Sequence, residues 1–301
     1  MRPEKLFIAI DGPRKDRPQD IELCKQTRDV AQEVDWPCEV QTLFRETNHG
    51  CLMHIAPALD WFFKNVEAGI VFEDDCIPNQ TFFPYCRELL LKYKDDPHIM
   101  HISGNNFQHH NPKFQLTDSY YFSRIPHCWG WATWRRAWNL YDGDLKLLPA
   151  VKAEKKLQNI FRDDAVAHRW EYLFDQARFD VKHVGMTAKV DWDGRWAFSC
   201  LAHEGLCIMP RVNLVSNIGF NDQARVARNP NDQLANLPTH PIEIPLRHPE
   251  HPDVHQAADR YTYKHILGVN KYLSQRIRWF AKSKFNTPYQ LVKPLYRSLR
   301  K

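Results

Sequence analysis

No apolar run in the 301-residue chain approaches the roughly 18 residues that a membrane-spanning helix needs, and the mean hydropathy is −0.57. Met1 to Lys5 are charged and run straight into an apolar stretch, with no basic-then-apolar leader, so a cytoplasmic protein is expected. The eight cysteines contain no Cys-x-x-Cys pair, which argues against a disulfide scaffold or a zinc ribbon and for free thiols. None of the 15 histidines sits in a His-Glu-x-x-His pattern, and His168, His203 and His240 have no ligand spacing. There is no Walker loop, no Gly-x-Gly-x-x-Gly fingerprint and no internal repeat. Acidic residues are missing from one region only. Residues 260–301 hold eleven Lys or Arg and no Asp or Glu, which leaves the preceding 259 residues with a net charge of −6.

With 43% apolar and 26% charged residues, the chain can bury a sizeable core as one large domain or two small ones. Its basic end interleaves cations with aromatics over 276–285. That pattern suits a solvated helix or an anionic membrane surface; nucleic acid is not expected, because no binding motif accompanies the charge.

Short apolar runs predict buried strands over 6–10, 39–44, 70–72 and 99–102. Apolar residues at helical spacing predict helices over 21–33, 51–66 and 82–93, with Pro57 in a first turn or at a kink. This alternation indicates an α/β sheet covered by helices on both faces, with ligands beyond the carboxyl ends of the strands. Tryptophans 131, 134 and 138 are spaced as a buried helix face, and 229–253, rich in Pro, Asn and His, reads as a surface segment. The boundaries drawn are a catalytic domain over 1–255, with a nucleotide-binding half (1–105) and an acceptor half (106–255), and a basic helical tail over 256–301.

Asp11 and the triplet Glu73-Asp74-Asp75 fall at strand ends. Three adjacent carboxylates repel one another unless water or a cation neutralises them. Along an extended backbone Glu73 and Asp75 point one way and Asp74 the other. Oxygen-only ligands favour Mg²⁺ or Mn²⁺, which takes its remaining oxygens from water and a diphosphate, so a nucleoside-diphosphate substrate is expected.

The run Phe72-Glu-Asp-Asp-Cys-Ile-Pro78, followed by an aromatic helix, resembles the acidic motif of GT-A fold glycosyltransferases of the inverting N-acetylglucosaminyltransferase I type. A wider set of stretches resembles a bacterial group of nucleotide-diphospho-sugar transferases often labelled hemolytic-protein-like. These are Leu6-Phe-Ile-Ala-Ile-Asp-Gly-Pro-Arg14, Leu43-Phe-Arg-Glu46, His101-Ile-Ser-Gly-Asn-Asn-Phe107, Trp129-Gly-Trp-Ala-Thr-Trp-Arg-Arg-Ala-Trp138 and Asn213-Leu-Val-Ser-Asn-Ile-Gly-Phe220.

The resemblance implies a GT-A fold, a Rossmann-like mixed sheet flanked by helices, here lacking the usual first βα unit. It implies an inverting, Mn²⁺- or Mg²⁺-dependent transfer from a UDP-sugar to a glycan or lipid-linked acceptor in cell-surface polysaccharide synthesis; the basic tail would hold such an enzyme at the inner face of the plasma membrane. Asp75 would be the metal ligand, with Glu73 and Asp74 on the ribose or sugar. Asp11 would read the uracil imide, while Asn48 and Gly50, before the helix at Cys51, would meet the diphosphate or merely form a turn. Trp129 and Gly130 would line the donor sugar or serve packing, and Arg124 would reach the diphosphate or lie on the surface. Asp193 would be the base, with Asp191 its rival or a helix cap, and Trp192 and Trp196 would stack on the acceptor. Two other readings stay open: a nucleotide-sugar-binding protein without activity, and a sugar nucleotidyltransferase.

Overall fold

The computed structural model describes residues 2–183, 191–221 and 229–268. Strand β1 (Lys5–Ile10) leads into helix α1 (Gln19–Ala31) and then strand β2 (Glu39–Phe44). The strands pair in parallel, from Lys5 beside Glu39 to Ile10 beside Phe44. A parallel pair needs a long crossover, and α1 provides it. Helix α2 (Cys51–Asn65) follows, with Pro57 in its interior and His54, Ala58, Leu59 and Phe63 on its buried side.

Strand β3 (Ala68–Val71) opens a second, five-stranded sheet. The chain continues through β4 (Cys76–Pro78), α3 (Phe82–Lys92), β5 (Ile99–Ser103), β6 (Tyr120–Ser123) and β7 (Trp131–Trp134). Short helices α4 (Arg135–Trp138), α5 (Leu148–Ala153) and α6 (Lys156–Phe161) precede the longer α7 (Asp164–His183) and α8 (Trp192–Ala202). Strands β8 (Leu206–Pro210) and β9 (Val215–Asn217), then α9 (Gln256–Tyr261) and a π-helical turn (Thr262–Ile266), complete the described elements. The large sheet has the order β3-β7-β5-β8-β6. Only β5 and β8 run parallel within it; β7 is antiparallel to β3 and β5, and β6 to β8. The architecture is therefore a mixed α/β sheet flanked by helices. A small antiparallel pair, β4 with β9, sits apart.

Apolar side chains pack against both faces of the large sheet. On one, Phe82, Tyr85, Cys86 and Leu89 of α3 meet Ile99, Ile102 and Ile208. On the other, Trp196 and Cys200 of α8 meet Met100, Trp131 and Met209. A third cluster joins α5, α6, α7 and α8 through Leu148, Leu157, Phe174 and Phe198.

The tryptophan spacing misled the sequence reading. Trp131 and Trp134 lie on β7 and only Trp138 on a helix, because a strand covered on both faces is apolar throughout and mimics a buried helix. The segment 229–253 is irregular but not merely superficial, since Leu237, Ile242 and Leu246 are buried. Residues 256–267 also pack into the body. Gln108 Nε2 donates to the Ala258 carbonyl at 3.2 Å and to Thr262 Oγ1 at 3.0 Å. The rest of the basic segment, including 276–285, lies outside the described residues.

No hydrogen-bonded ladder joins β1 to β3. Helix α2 spans the two instead. Phe62 meets Phe7 of β1 edge-on at 5.1 Å, and its tip fills the space where Gly69 of β3 lacks a side chain.

Candidate functional site

The loop after β1 meets the start of α2 through Asp11. Its carboxylate accepts four donors: the backbone N–H groups of Gly12 (2.9 Å), His49 (2.9 Å) and Gly50 (2.9 Å), and the Asn48 side-chain amide (3.0 Å). His54 Nδ1 lies 3.9 Å from the same carboxylate, and burial lowers the pKa of this imidazole. A helix start offers unpaired N–H groups and a partial positive charge, and here the protein supplies the anion itself. This corrects two expectations together: Asn48 and Gly50 present no free donors to a diphosphate, and Asp11 is engaged as their acceptor. The sequence reading found all three residues but missed that they bind one another.

The acid triplet forms a turn rather than an extended segment. The Cys76 N–H reaches back to the Glu73 carbonyl at 3.2 Å, and β4 starts at Cys76. Glu73 and Asp75 are half-buried and Asp74 is exposed, so the split expected from alternation holds for a different geometric reason. Asp75 is anchored at both ends. Its carbonyl accepts the Ile218 N–H at 2.9 Å, and its carboxylate lies against Gly219 so closely that a Cβ there would collide with it. The Cys76 thiol donates to Asp75 Oδ1 at 3.5 Å, and burial pushes this thiol up to about 12.

Beside this turn runs Trp129-Gly130. Asn105 Oδ1 accepts the Trp129 N–H at 3.1 Å, and the same side chain donates to the Val215 carbonyl at 3.2 Å. Gly130 has φ +64°, and a Cβ on it would lie 2.7 Å from Val215 and 2.9 Å from Phe72. Only glycine fits this backbone conformation and this gap. Trp129 is half-buried, with its ring edge-on to Phe107 at 5.3 Å and to Phe220 at 5.5 Å.

The start of α8 separates the two candidate bases by role. Asp191 is the N-cap, accepting the Trp192 N–H at 3.3 Å. Asp193 keeps exposed surface, yet the protein around it displaces enough water to raise its pKa from the ordinary value. Burial raises the pKa of the half-buried Cys128 thiol, and the charges of Asp193 and Glu73 add to that rise.

Trp192 and Trp196 do not face an acceptor. They are 2% and 0% exposed, their rings lie 5.7 and 6.0 Å from that of Trp131, and Trp196 Nε1 donates to His101 Nδ1 at 3.1 Å. An aromatic ring stacks on a sugar only from an open face, and these two are core. Arg124 donates to the Glu204 carbonyl at 2.6 Å, beyond the C-terminal end of α8.

The fit to a divalent cation rests on Asp75. Among the described residues no group of three or more His, Cys, Asp or Glu converges as a complete cage. Mg²⁺ and Mn²⁺ need no such cage, since one or two carboxylates suffice when a diphosphate supplies further oxygens. Sequence reasoning passed over Asn105 and Gly219, both inside stretches it had quoted; their work is to hold the Trp129 backbone and to admit the Asp75 carboxylate.

Neither family models nor curated proteins provide a match to this chain.

Proposed function

We propose that this chain is an inverting glycosyltransferase of GT-A type that moves a sugar from a UDP-sugar to a hydroxyl of a glycan or lipid-linked acceptor. The observation that carries this reading is Asp193, an exposed carboxylate in the first turn of α8 whose pKa is raised and whose charge, like that of Glu73 in the acid turn, reaches the Cys128 thiol. Asp193 would accept the proton of the acceptor hydroxyl as its oxygen attacks the anomeric carbon, and a raised pKa brings a carboxylate closer to the basicity that this step needs. The sugar–phosphate bond breaks on the opposite face and UDP departs. Asp75 would hold Mn²⁺ or Mg²⁺, which when bound supplies positive charge to the leaving diphosphate. Trp129 would border the donor sugar, and Gly130 would let the backbone approach it.

The test is a calorimetric titration of the chain with UDP, with and without Mn²⁺, beside Asp75→Ala, followed by UDP release from candidate donors by Asp193→Asn. Micromolar, metal-dependent binding lost in Asp75→Ala, and turnover reduced at least 100-fold in Asp193→Asn with UDP affinity kept, is the expected result. Binding without turnover in the native chain would favour a nucleotide-sugar binder. The absence of metal-dependent UDP binding would overturn the transferase reading.

A further inference from the structure

Strand β2 leaves one edge of the two-stranded sheet unpaired. The Glu39 N–H donates to the Glu4 carbonyl at 2.8 Å and the Arg45 N–H to the Ile10 carbonyl at 3.0 Å, so residues 39, 41, 43 and 45 turn their main-chain groups towards β1. In a parallel pair the residues between them turn away. The N–H and C=O groups of Val40, Thr42 and Phe44 therefore face outwards, and none meets a partner among the described residues. Such an edge is a template for another strand, and β2 lacks the usual guards: it has no proline, no lysine and no bulge.

The charges along this edge fit a second copy of the same chain. Arg45 is half-buried, yet its guanidinium forms no ion pair or hydrogen bond among the described residues. Glu39 lies at the other end of the strand, with its carboxylate half-exposed and 3.2 Å from Lys5 Nζ. Antiparallel pairing of β2 with its own copy, centred on Thr42, sets Glu39 opposite the second copy's Arg45, Val40 opposite Phe44 and Gln41 opposite Leu43. Thr42 then meets Thr42, and every outward group finds another outward group. A centre at Gln41 would instead set Glu39 opposite Leu43 and Arg45 opposite Pro37. Beside the edge, a groove of about 480 Å³ runs between α1 and the end of β2, and Ile21 in its wall is 67% exposed. Lys25 and Arg28 in this wall are matched by Asp29 and Glu46, so the groove suits a surface of balanced charge rather than a polyanion. The Arg28 guanidinium lies over the Phe44 ring at 5.5 Å, which puts α1 on the face of β2 that carries Val40, Thr42 and Phe44. A two-fold axis normal to the sheet keeps both copies of α1 on that face, so both grooves open onto the joined strands.

We propose that β2 pairs with β2 of a second copy, joining the two-stranded units of both protomers into one continuous sheet. Each outward pair exchanges two N–H···O bonds, and the Glu39–Arg45 cross-pair, formed twice, fixes the register. The inference does not rest on the transferase reading, because no residue of β2 belongs to the acid turn or to the start of α8.

Sedimentation equilibrium of the full chain between about 1 and 100 µM tests it, beside Glu39→Lys, Arg45→Glu, an equimolar mixture of these two variants, and Thr42→Pro. In a two-fold pairing either charge change alone makes both cross-pairs repulsive, whereas a dimer of one variant with the other restores opposite charges at both. Thr42→Pro is an independent check, because it removes an outward N–H that β1 does not use. Thermal unfolding of each variant shows whether the fold is kept. The expected result is a concentration-dependent shift of the native chain towards about 71 kDa, twice its 35.6 kDa. Association should be weakened at least tenfold in each variant and regained in the mixture. A native chain that stays at monomer mass throughout, association that the variants leave intact, or a mixture no more associated than its components, overturns the proposal.

Discussion

Asp191 and Asp193 stand two positions apart, yet one closes a helix end and the other is exposed in the first turn. Both assignments were open in the sequence, because a carboxylate before a helix suits either role; the accepted N–H settles Asp191 as the cap. A third carboxylate was invisible as a special residue. Asp259 lies in what read as a basic tail, but it is 5% exposed and burial pushes its carboxyl up to about 6 from an ordinary value of 3.8. The native state therefore holds a proton between about pH 4 and pH 6 that the unfolded chain has released. Stability from this group is fullest below the lower value and falls as pH rises through 6, by about 3 kcal/mol in all. The charged and titratable groups around it are the Arg124 guanidinium, which lowers its pKa in part, and the Tyr121 and Tyr263 phenols, whose pKa values the Asp259 charge raises. Asp259→Asn should remove the slope while keeping both hydrogen bonds, the amide oxygen accepting the Arg124 N–H and the amide nitrogen donating to Ser123. Urea denaturation of both proteins from pH 4 to pH 7.5 measures this. The variant should gain on the native chain as pH rises, and parallel curves would show that Asp259 does not titrate in that range.

Among the elements, those with local signals were legible. Short apolar runs located β1, β2 and β5, and apolar residues at helical spacing located α2 and α3, each to within a few residues, because these signals are local. Contacts between elements were not legible, since nothing local marks them. Asp11 was read as a ligand group and Asn48 with Gly50 as another; only folding shows that the end of β1 clasps the start of α2 through them. The same holds for Trp192 and Trp196, whose aromatic character advertised a sugar platform until β7 and α8 were seen to enclose them. The clasp has a measurable consequence. Asp11→Ala leaves the His49 and Gly50 N–H groups without their acceptor and should cost about 2 kcal/mol of unfolding free energy. A residue whose sole task was to read uracil would behave in the opposite way, with UDP affinity lost and the denaturation midpoint unchanged. Measuring both quantities on one preparation decides between the two roles.

For the whole molecule, the division of the sheet should govern how it opens. Strands β5, β6, β7 and β8 are buried along their full length, whereas no residue of β1 or β2 is. The two-stranded unit shares no ladder with the five-stranded sheet. Its links to the rest run through α2, by Phe7 against Trp61 and Phe62 and by the Asp11 clasp. An element with few buried contacts, whose outer edges pair with no other strand among the described residues, opens before the global transition. Native-state hydrogen exchange should therefore find the hydrogen-bonded amides of Leu6–Ile10 and Val40–Phe44 exchanging through a sub-global opening, with protection at least tenfold below that of Ile99–Ser103 and Leu206–Pro210. Low denaturant should accelerate the second set towards global unfolding while the first already exchanges. Equal protection in both sets would mean that α2 alone couples the two sheets into one cooperative unit. Asp11→Ala sharpens the comparison, because loss of the clasp should widen the gap by lowering protection in β1 and β2 while leaving the amides of β5 and β8 limited by global unfolding.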